Sequence, residues 1–209
     1  EKNVQAKLEL VALANDVAAR SQDLDQLLAK AHEIEARPDA TIDELRKAAD
    51  DLQNGKPLLD ALNHDYEQIK KIDEEKTPEG AQLAASTLDR LEKANQALNN
   101  TQTALEDRAD ALEDLHRRAD GAGTRLAGLV DEANRLLCDA EAIPNKFEST
   151  AAEMREEISV ARNILAVAPT ANDEHAHSLA TTTAAAEALL PVLDDRNTYW
   201  NEFVAARDA

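Results

Sequence analysis

The sequence predicts an all-α chain of two tandem antiparallel three-helix bundles joined by a long shared helix. Three observations predict it. Apolar residues make up 43% of the 209 residues, yet only five are aromatic, Tyr66, Phe147, Tyr199, Trp200 and Phe203, so the apolar content is largely Ala and Leu. Five glycines and six prolines are too few for the many tight turns of a sandwich or barrel. Apolar residues recur at three- and four-residue steps along most of the chain.

The first helix is expected from Glu1 to Ala36, a stretch without Gly or Pro in which Val4, Leu8, Val11, Leu24, Leu27, Leu28, Ala31 and Ile34 recur at helical spacing. Arg37-Pro38-Asp39 stops it. Thr41 and Glu44 have capping-box spacing, in which the hydroxyl accepts an amide proton and the carboxylate reaches back, so a second helix starts there. It carries Ile42, Leu45, Ala49, Leu52, Leu59, Leu62, Tyr66, Ile69 and Ile72, with a kink expected at Gly55 and Pro57, and ends in the charged run from Asp73 to Lys76.

Thr77-Pro78-Glu79 combines an N-cap, a first-position proline and a first-turn acid. Beyond it runs a seven-residue seam: Leu91, Leu98, Leu105, Leu112, Ala119, Leu126, Ala133 and Ala140. Three residues after each stand Ala94, Thr101, Arg108, Leu115, Ala122, Leu129, Leu136 and Ile143. Only Thr101 and Arg108 are polar. A helix from Pro78 to Ile143 would be roughly 100 Å long, more than one compact domain of this mass needs, so its first half is expected to close one bundle and its second half to open the next.

The second half repeats the plan. Pro144-Asn145-Lys146 breaks the chain 106 residues after Pro38 (144 − 38). Thr150 and Glu153 suggest a further capping box, with Met154, Ile158, Ala161 and Leu165 on one face, and Pro169 closes this middle helix early, after about twenty residues. Asn172 or Asp173 caps the last helix, whose seam reads Leu179, Ala186, Leu193 and Trp200 beside Leu190, Asn197 and Val204, with a bend expected at Pro191. The expected units are residues 1–117 and 118–209, the second with a shortened middle helix.

Three-helix units at this period, the third helix of one running into the first of the next, resemble the spectrin-repeat family over the whole chain. Neither Glu1 to Ala36 nor Ala119 to Ile143 contains an aromatic residue, and Trp200 lies in a third helix instead. The resemblance therefore points to divergent, spectraplakin-like or nesprin-like rods. It implies a structural rod segment of a large cytoskeletal linker, actin-linked through its parent protein: a semi-rigid spacer that bears tension and offers side faces to cytoskeletal or junctional proteins. The chain opens at Glu1 in helical sequence and is expected to be a piece of a longer protein, flanked by further repeats, cytoplasmic and cytoskeleton-associated, at a cell junction or the nuclear envelope through its parent.

A net charge of −19 repels phosphate backbones and anionic lipid, so direct nucleic-acid binding is not expected, nor is the basic lipid-facing surface of a membrane-bending dimer. No apolar run reaches eighteen residues, so membrane insertion is not expected. No catalytic, cofactor-binding or metal residues are assigned. His175 and His177, two apart, point to different sides of a helix and read as surface histidines; His32, His64 and His116 stand singly; Cys138 reads as a small core or boundary residue. Acidic pairs such as Asp50-Asp51, Glu74-Glu75 and Asp194-Asp195 belong to solvated faces. The Asn99-Asn100-Thr101 sequon is expected to be unused. Gly121 and Gly123, after His116-Arg117-Arg118, read either as an inter-repeat hinge in a continuous helix or as small residues that admit a close neighbour. Ser178 to Ala188, rich in Ala and Thr, reads as a slim core-filling helix before a docking face. The competing function is a talin- or vinculin-like adhesion bundle that binds partner helices, which would group its helices without a shared one.

Overall fold

A computed structural model describes residues 2–73, 78–139, 144–168 and 173–208. Among them are six helices and no strand: α1 (Lys2–Ala36), α2 (Ile42–Leu52), α3 (Gly55–Asp73), α4 (Pro78–Cys138), α5 (Pro144–Val167) and α6 (Glu174–Asp208). The chain divides into two compact units, Glu1–Ala111 and Leu112–Ala209.

In the first unit α1 and the opening part of α4 run parallel, because Lys7 pairs with Glu79 and His32 meets Thr101. α2 and α3 descend between them, with Arg20 of α1 paired to Asp65 of α3. The core joins Leu24, Leu28, Leu45, Leu52, Leu62, Ile69, Leu98 and Leu105, all buried. Each such side chain stabilises the fold by about 1.5–3 kcal/mol when withdrawn from water.

The amino-terminal half of α1 corrects the sequence reading. Val4, Leu8 and Val11 are 63%, 63% and 60% exposed, while Leu10, Leu13 and Val17 are buried. Both sets have helical spacing, and at about 100° per residue they lie on opposite sides of the helix. Periodicity alone cannot choose between two stripes. The packing chooses Leu10, Leu13 and Val17, the set that continues into Leu24, Leu28 and Ala31.

The Thr41–Glu44 capping box forms in full: the Glu44 amide donates to the Thr41 hydroxyl at 3.2 Å, and the Thr41 amide donates to the Glu44 carboxylate at 2.9 Å. Those bonds, led by the Thr41 amide, hold the Glu44 pKa below its ordinary value. Near the expected kink at Gly55 and Pro57 the helix is interrupted for two residues, Gln53 and Asn54, with Gln53 still in the right-handed helical region. The amides of Gln53 and Asn54 bond back to the carbonyls of Asp50 and Asp51, and α3 restarts at Gly55. Pro57 then occupies the third position of α3, where no intrahelical donor is needed. Gly55 is buried, and a Cβ placed there would lie 2.8 Å from Leu98 Cδ1 and 3.2 Å from Leu27 Cδ2.

α4 begins with Pro78 and carries Glu79 in its first turn, as expected. Thr77 and residues 74–76, including the Glu74-Glu75 pair, lie outside the described residues. α4 is helical without a break through Gly121, Gly123 and Gly128 to Cys138, 61 residues in all. Every described seam residue and companion is buried or half-buried, from Leu91 to Leu136. Seam residues Ala140 and Ile143 lie outside the described residues. Neither Gly121 nor Gly123 is required by crowding: an added Cβ would stand 3.6 Å from the Arg125 guanidinium or 3.9 Å from Leu179 Cδ1, ordinary contact distances. That removes the close-neighbour account of the two glycines.

In the second unit α5 and α6 form an antiparallel pair, with Arg155 against Asp194 and Arg162 against Glu187. The closing part of α4 lies antiparallel to α5, through Arg125 and Glu157. Phe147, Met154, Leu126, Leu179 and Leu193 fill the core. α5 begins at Pro144, six residues before the expected cap, and Thr150 is a buried residue within it. Proline suits the first helical position, and the extra turn brings Phe147, 2% exposed, into the core. Even so, α5 has 24 residues against 32 from Ile42 to Asp73 (73 − 42 + 1). Pro169 and Asn172 lie outside the described residues. α6 remains helical through Pro191, and its Ala- and Thr-rich segment buries Leu179, Thr183 and Ala186, with the Thr181, Thr182 and Thr183 hydroxyls donating to carbonyls four residues back. Trp200 packs at the edge of the core, edge-on to Phe203.

Two outcomes follow in chemical denaturation. Gly55→Ala forces a methyl group against Leu98 and Leu27 and is expected to destabilise the first unit by about 1–2 kcal/mol. Gly121→Ala and Gly123→Ala meet only ordinary contacts in a helix and are expected to stabilise the second unit by about 0.5–1 kcal/mol each.

Candidate functional site

α4 supplies core residues to both units, so the contacts that tie it and its neighbours sideways are where the fold carries chemical specificity. Thr101 and Arg108, the two polar interruptions of its seam, both reach α1. The Thr101 hydroxyl is buried and lies 3.1 Å from His32 Nε2. Thr101 is also the last residue of the sequon, whose hydroxyl is thus engaged within the bundle. The Arg108 guanidinium donates to the main-chain carbonyls of Glu35 and, at 2.5 Å, Arg37. The last carbonyls of a helix lack internal donors and carry partial negative charge, and α1 has no basic residue in its own last turn. Arg108 supplies that cation from a helix 71 residues further on.

One charged side chain lies deep in the first unit. Asp65 of α3 is 3% exposed, and its Oδ2 is paired with the Arg20 guanidinium, which also donates to the Ala61 carbonyl at 3.4 Å. The rim pairs of the second unit, Arg125–Glu157 at 2.6 Å and Arg162–Glu187 at 2.8 Å, have arginines well exposed to solvent, and pairs of that kind contribute little each.

The densest polar cluster sits where α6 begins. Asp173 caps α6, its Oδ1 accepting from the amides of His175 at 2.9 Å and Ala176 at 3.1 Å. Its Oδ2 lies 2.6 Å from His116 Nε2 on α4. One turn along α4, Asp120 Oδ1 lies 2.7 Å from His175 Nδ1. The two imidazoles stack, with centroids 4.2 Å apart and planes 20° from parallel. Burial opposes ionisation of Asp173, but the Ala176 amide, His116 and the His175 amide together hold its pKa below the ordinary value. The hydrogen bond to Asp120 raises the His175 pKa against the effect of burial, helped by the charges of Asp120, Asp173 and Glu174.

Local sequence does not bring these residues together. His175 is not a plain surface histidine but half of a stacked pair, whereas His177 is exposed. The available signal was the i, i+4 spacing of His116 and Asp120 on one face of α4, together with a His two residues after a helix cap. Their meeting depends on α4 and α6 being parallel, which local sequence does not encode. Cys138, expected in the core or at its boundary, is exposed at the end of α4. Stacked rings direct their in-plane lone pairs side by side instead of toward one point, and among the described residues no group of three or more His, Cys, Asp or Glu is placed to hold a metal ion. Among those residues no helix is long and apolar enough to cross a membrane.

Replacing Arg20 by Met leaves the Asp65 carboxylate buried without its cation and is expected to cost about 2–4 kcal/mol of first-unit stability. Adding Asp65→Leu is expected to recover most of that loss, both read as shifts in denaturation midpoint.

No protein-family model matches the chain, and no solved structure matches it significantly. The chain is 34% identical, over 207 residues and 96% of its length, to Nuclear anchorage protein 1 of Caenorhabditis elegans. It spans 2% of the length of that protein.

Proposed function

We propose that this chain is one stretch of a structural rod in a large cytoskeletal linker protein, acting as a semi-rigid, tension-bearing spacer without catalytic activity. The observation that carries this reading is the unbroken α4, which places Leu98 and Leu105 in one core and Leu126 and Leu136 in the other. A continuous helix transmits load through a ladder of backbone hydrogen bonds, and the flanking helices keep that ladder packed. The likeness to a small fraction of a nuclear anchorage protein supports a role in connecting the nucleus to the cytoskeleton, on the cytoplasmic side, with protein partners on the side faces. The shared helix weighs against an adhesion bundle with separately grouped helices.

Within this reading the units are two tandem spectrin-like repeats, and Gly121 and Gly123 mark a soft point of the shared helix just inside the second. They tolerate side chains sterically, so their residual role is to lower local helix stability.

Force spectroscopy on the chain held at its two ends tests the proposal. In the wild type, some traces are expected to show both units yielding in one step, because unwinding of α4 in one unit propagates along the same hydrogen-bond ladder into the other. Gly121→Pro breaks the ladder and is expected to abolish joint steps and lower the force at which the second unit yields. Wild-type traces indistinguishable from those of the proline variant would overturn load transmission through α4.

A further inference from the structure

We propose that the His116–His175 stack is a proton-operated clasp, which holds the amino end of α6 firmly against α4 when the imidazole pair carries a proton and loosens when it does not. The geometry is that of a charge-balanced lock. Two carboxylates, Asp120 and Asp173, each meet one ring at hydrogen-bond distance, one from each of the two elements being joined. Asp173 serves both the clasp and the cap of α6, so the side chain that receives His116 also receives the first free amides of the helix. With both rings neutral, two carboxylates and Glu174 face each other with no cation between them. A proton on His175 places a cation against Asp120.

The surroundings favour this balance. On α4 the charged neighbours are Glu113, Asp114, Arg117, Arg118 and Asp120; Arg117 pairs with Asp114, and Arg118 lies 3.8 Å from the same carboxylate. On α6 they are Glu174 and the exposed His177, with Asp173 immediately before the helix. On α5 the last titratable side chain is Arg162, engaged by Glu187. Both arginines are engaged by Asp114, so Asp120, Asp173 and Glu174 are left acting on the two rings.

The direction of the pH dependence follows. The folded pKa of His175 lies above its ordinary 6.5, so its contribution is fully present below pH 6.5 and is lost as pH rises through the folded value. The folded pKa of Asp173 lies below its ordinary 3.8, so its contribution is present above pH 3.8 and lost as pH falls through the folded value. The clasp is at full strength between these limits and weakens on the alkaline side.

Amide hydrogen exchange of the full chain, corrected for intrinsic exchange rates, tests the clasp at pH 6 and pH 8. In the wild type, protection at Ala176 to Ala180 is expected to fall between pH 6 and pH 8, while that of Leu98 to Leu105 in the first unit stays level. His175→Gln and, separately, Asp120→Asn are expected to remove the difference, and His177→Gln to preserve it. Asp120→Asn lies on the exposed face of α4 and leaves the helix and both rings in place, so it keeps the test open should the histidine variant fold poorly. Equal protection at both pH values in the wild type, or a pH response unchanged in Asp120→Asn, would overturn the proposal. The measurement needs no load, so its outcome is independent of the spacer reading.

Discussion

A helix of 61 residues with apolar side chains every seventh position cannot leave that seam in water, and it is too long to be buried in one bundle of this mass. The constraint organises everything else. α1, α2 and α3 cover the first part of the seam, and α5 and α6 cover the second, around separate cores centred on Leu105 and on Leu126. Because three of the six seam and companion residues from Ala119 to Leu136 are alanines, Ala119, Ala122 and Ala133, part of the core volume must come from larger side chains elsewhere. Phe147, Met154 and Leu193 provide them, which explains why α5 extends back to Pro144 instead of starting at Thr150.

Legibility followed the range of the physical signal. Local signals were read well: the Thr41–Glu44 box, the Pro78–Glu79 start and the seven-residue phase through Gly121 depend on residues within one or two turns. The buried stripe of α1 is not legible, because Val4, Leu8 and Val11 have the same periodicity as Leu10, Leu13 and Val17, and only the surface they meet distinguishes them. A glycine followed by a proline two residues on marks the weak point of the second helix, and the interruption falls at Gln53 and Asn54, immediately before Gly55. Pairings over long sequence separation, such as Arg20 with Asp65 and His116 with Asp173, were not legible at all. Each joins residues 45 or 57 positions apart and requires the bundle register first.

The two polar seam positions show how an apparent flaw in a pattern carries information. Thr101 and Arg108 interrupt an otherwise apolar run, and a simple hydrophobic count would score them as losses. In the folded unit they are the points at which α4 recognises α1, one through the His32 ring and the other through the carbonyls at the end of α1. Arg108 also resolves a local deficiency: α1 ends without a basic residue of its own, and the compensating charge arrives from a different helix.

That arrangement bears on register. A seam of Leu and Ala repeated every seven residues is nearly self-similar, so sliding one helix by a heptad exchanges Leu98 for Leu91 or Leu105 at little hydrophobic cost. The polar contacts are not self-similar. Sliding α1 by seven residues puts Leu13 or Leu27 where Arg20 meets Asp65, leaving a buried carboxylate opposite an alkyl chain, and in the first of these registers puts Asp25 where His32 meets Thr101. An uncompensated buried charge costs several kcal/mol, far more than the difference between two leucine contacts. In the second unit, the same displacement of α4 carries His116 away from Asp173 and strips the capping carboxylate of its partner. Apolar burial therefore supplies most of the stability in both bundles, and a few polar pairs of high sequence separation decide which of several near-equivalent alignments is adopted.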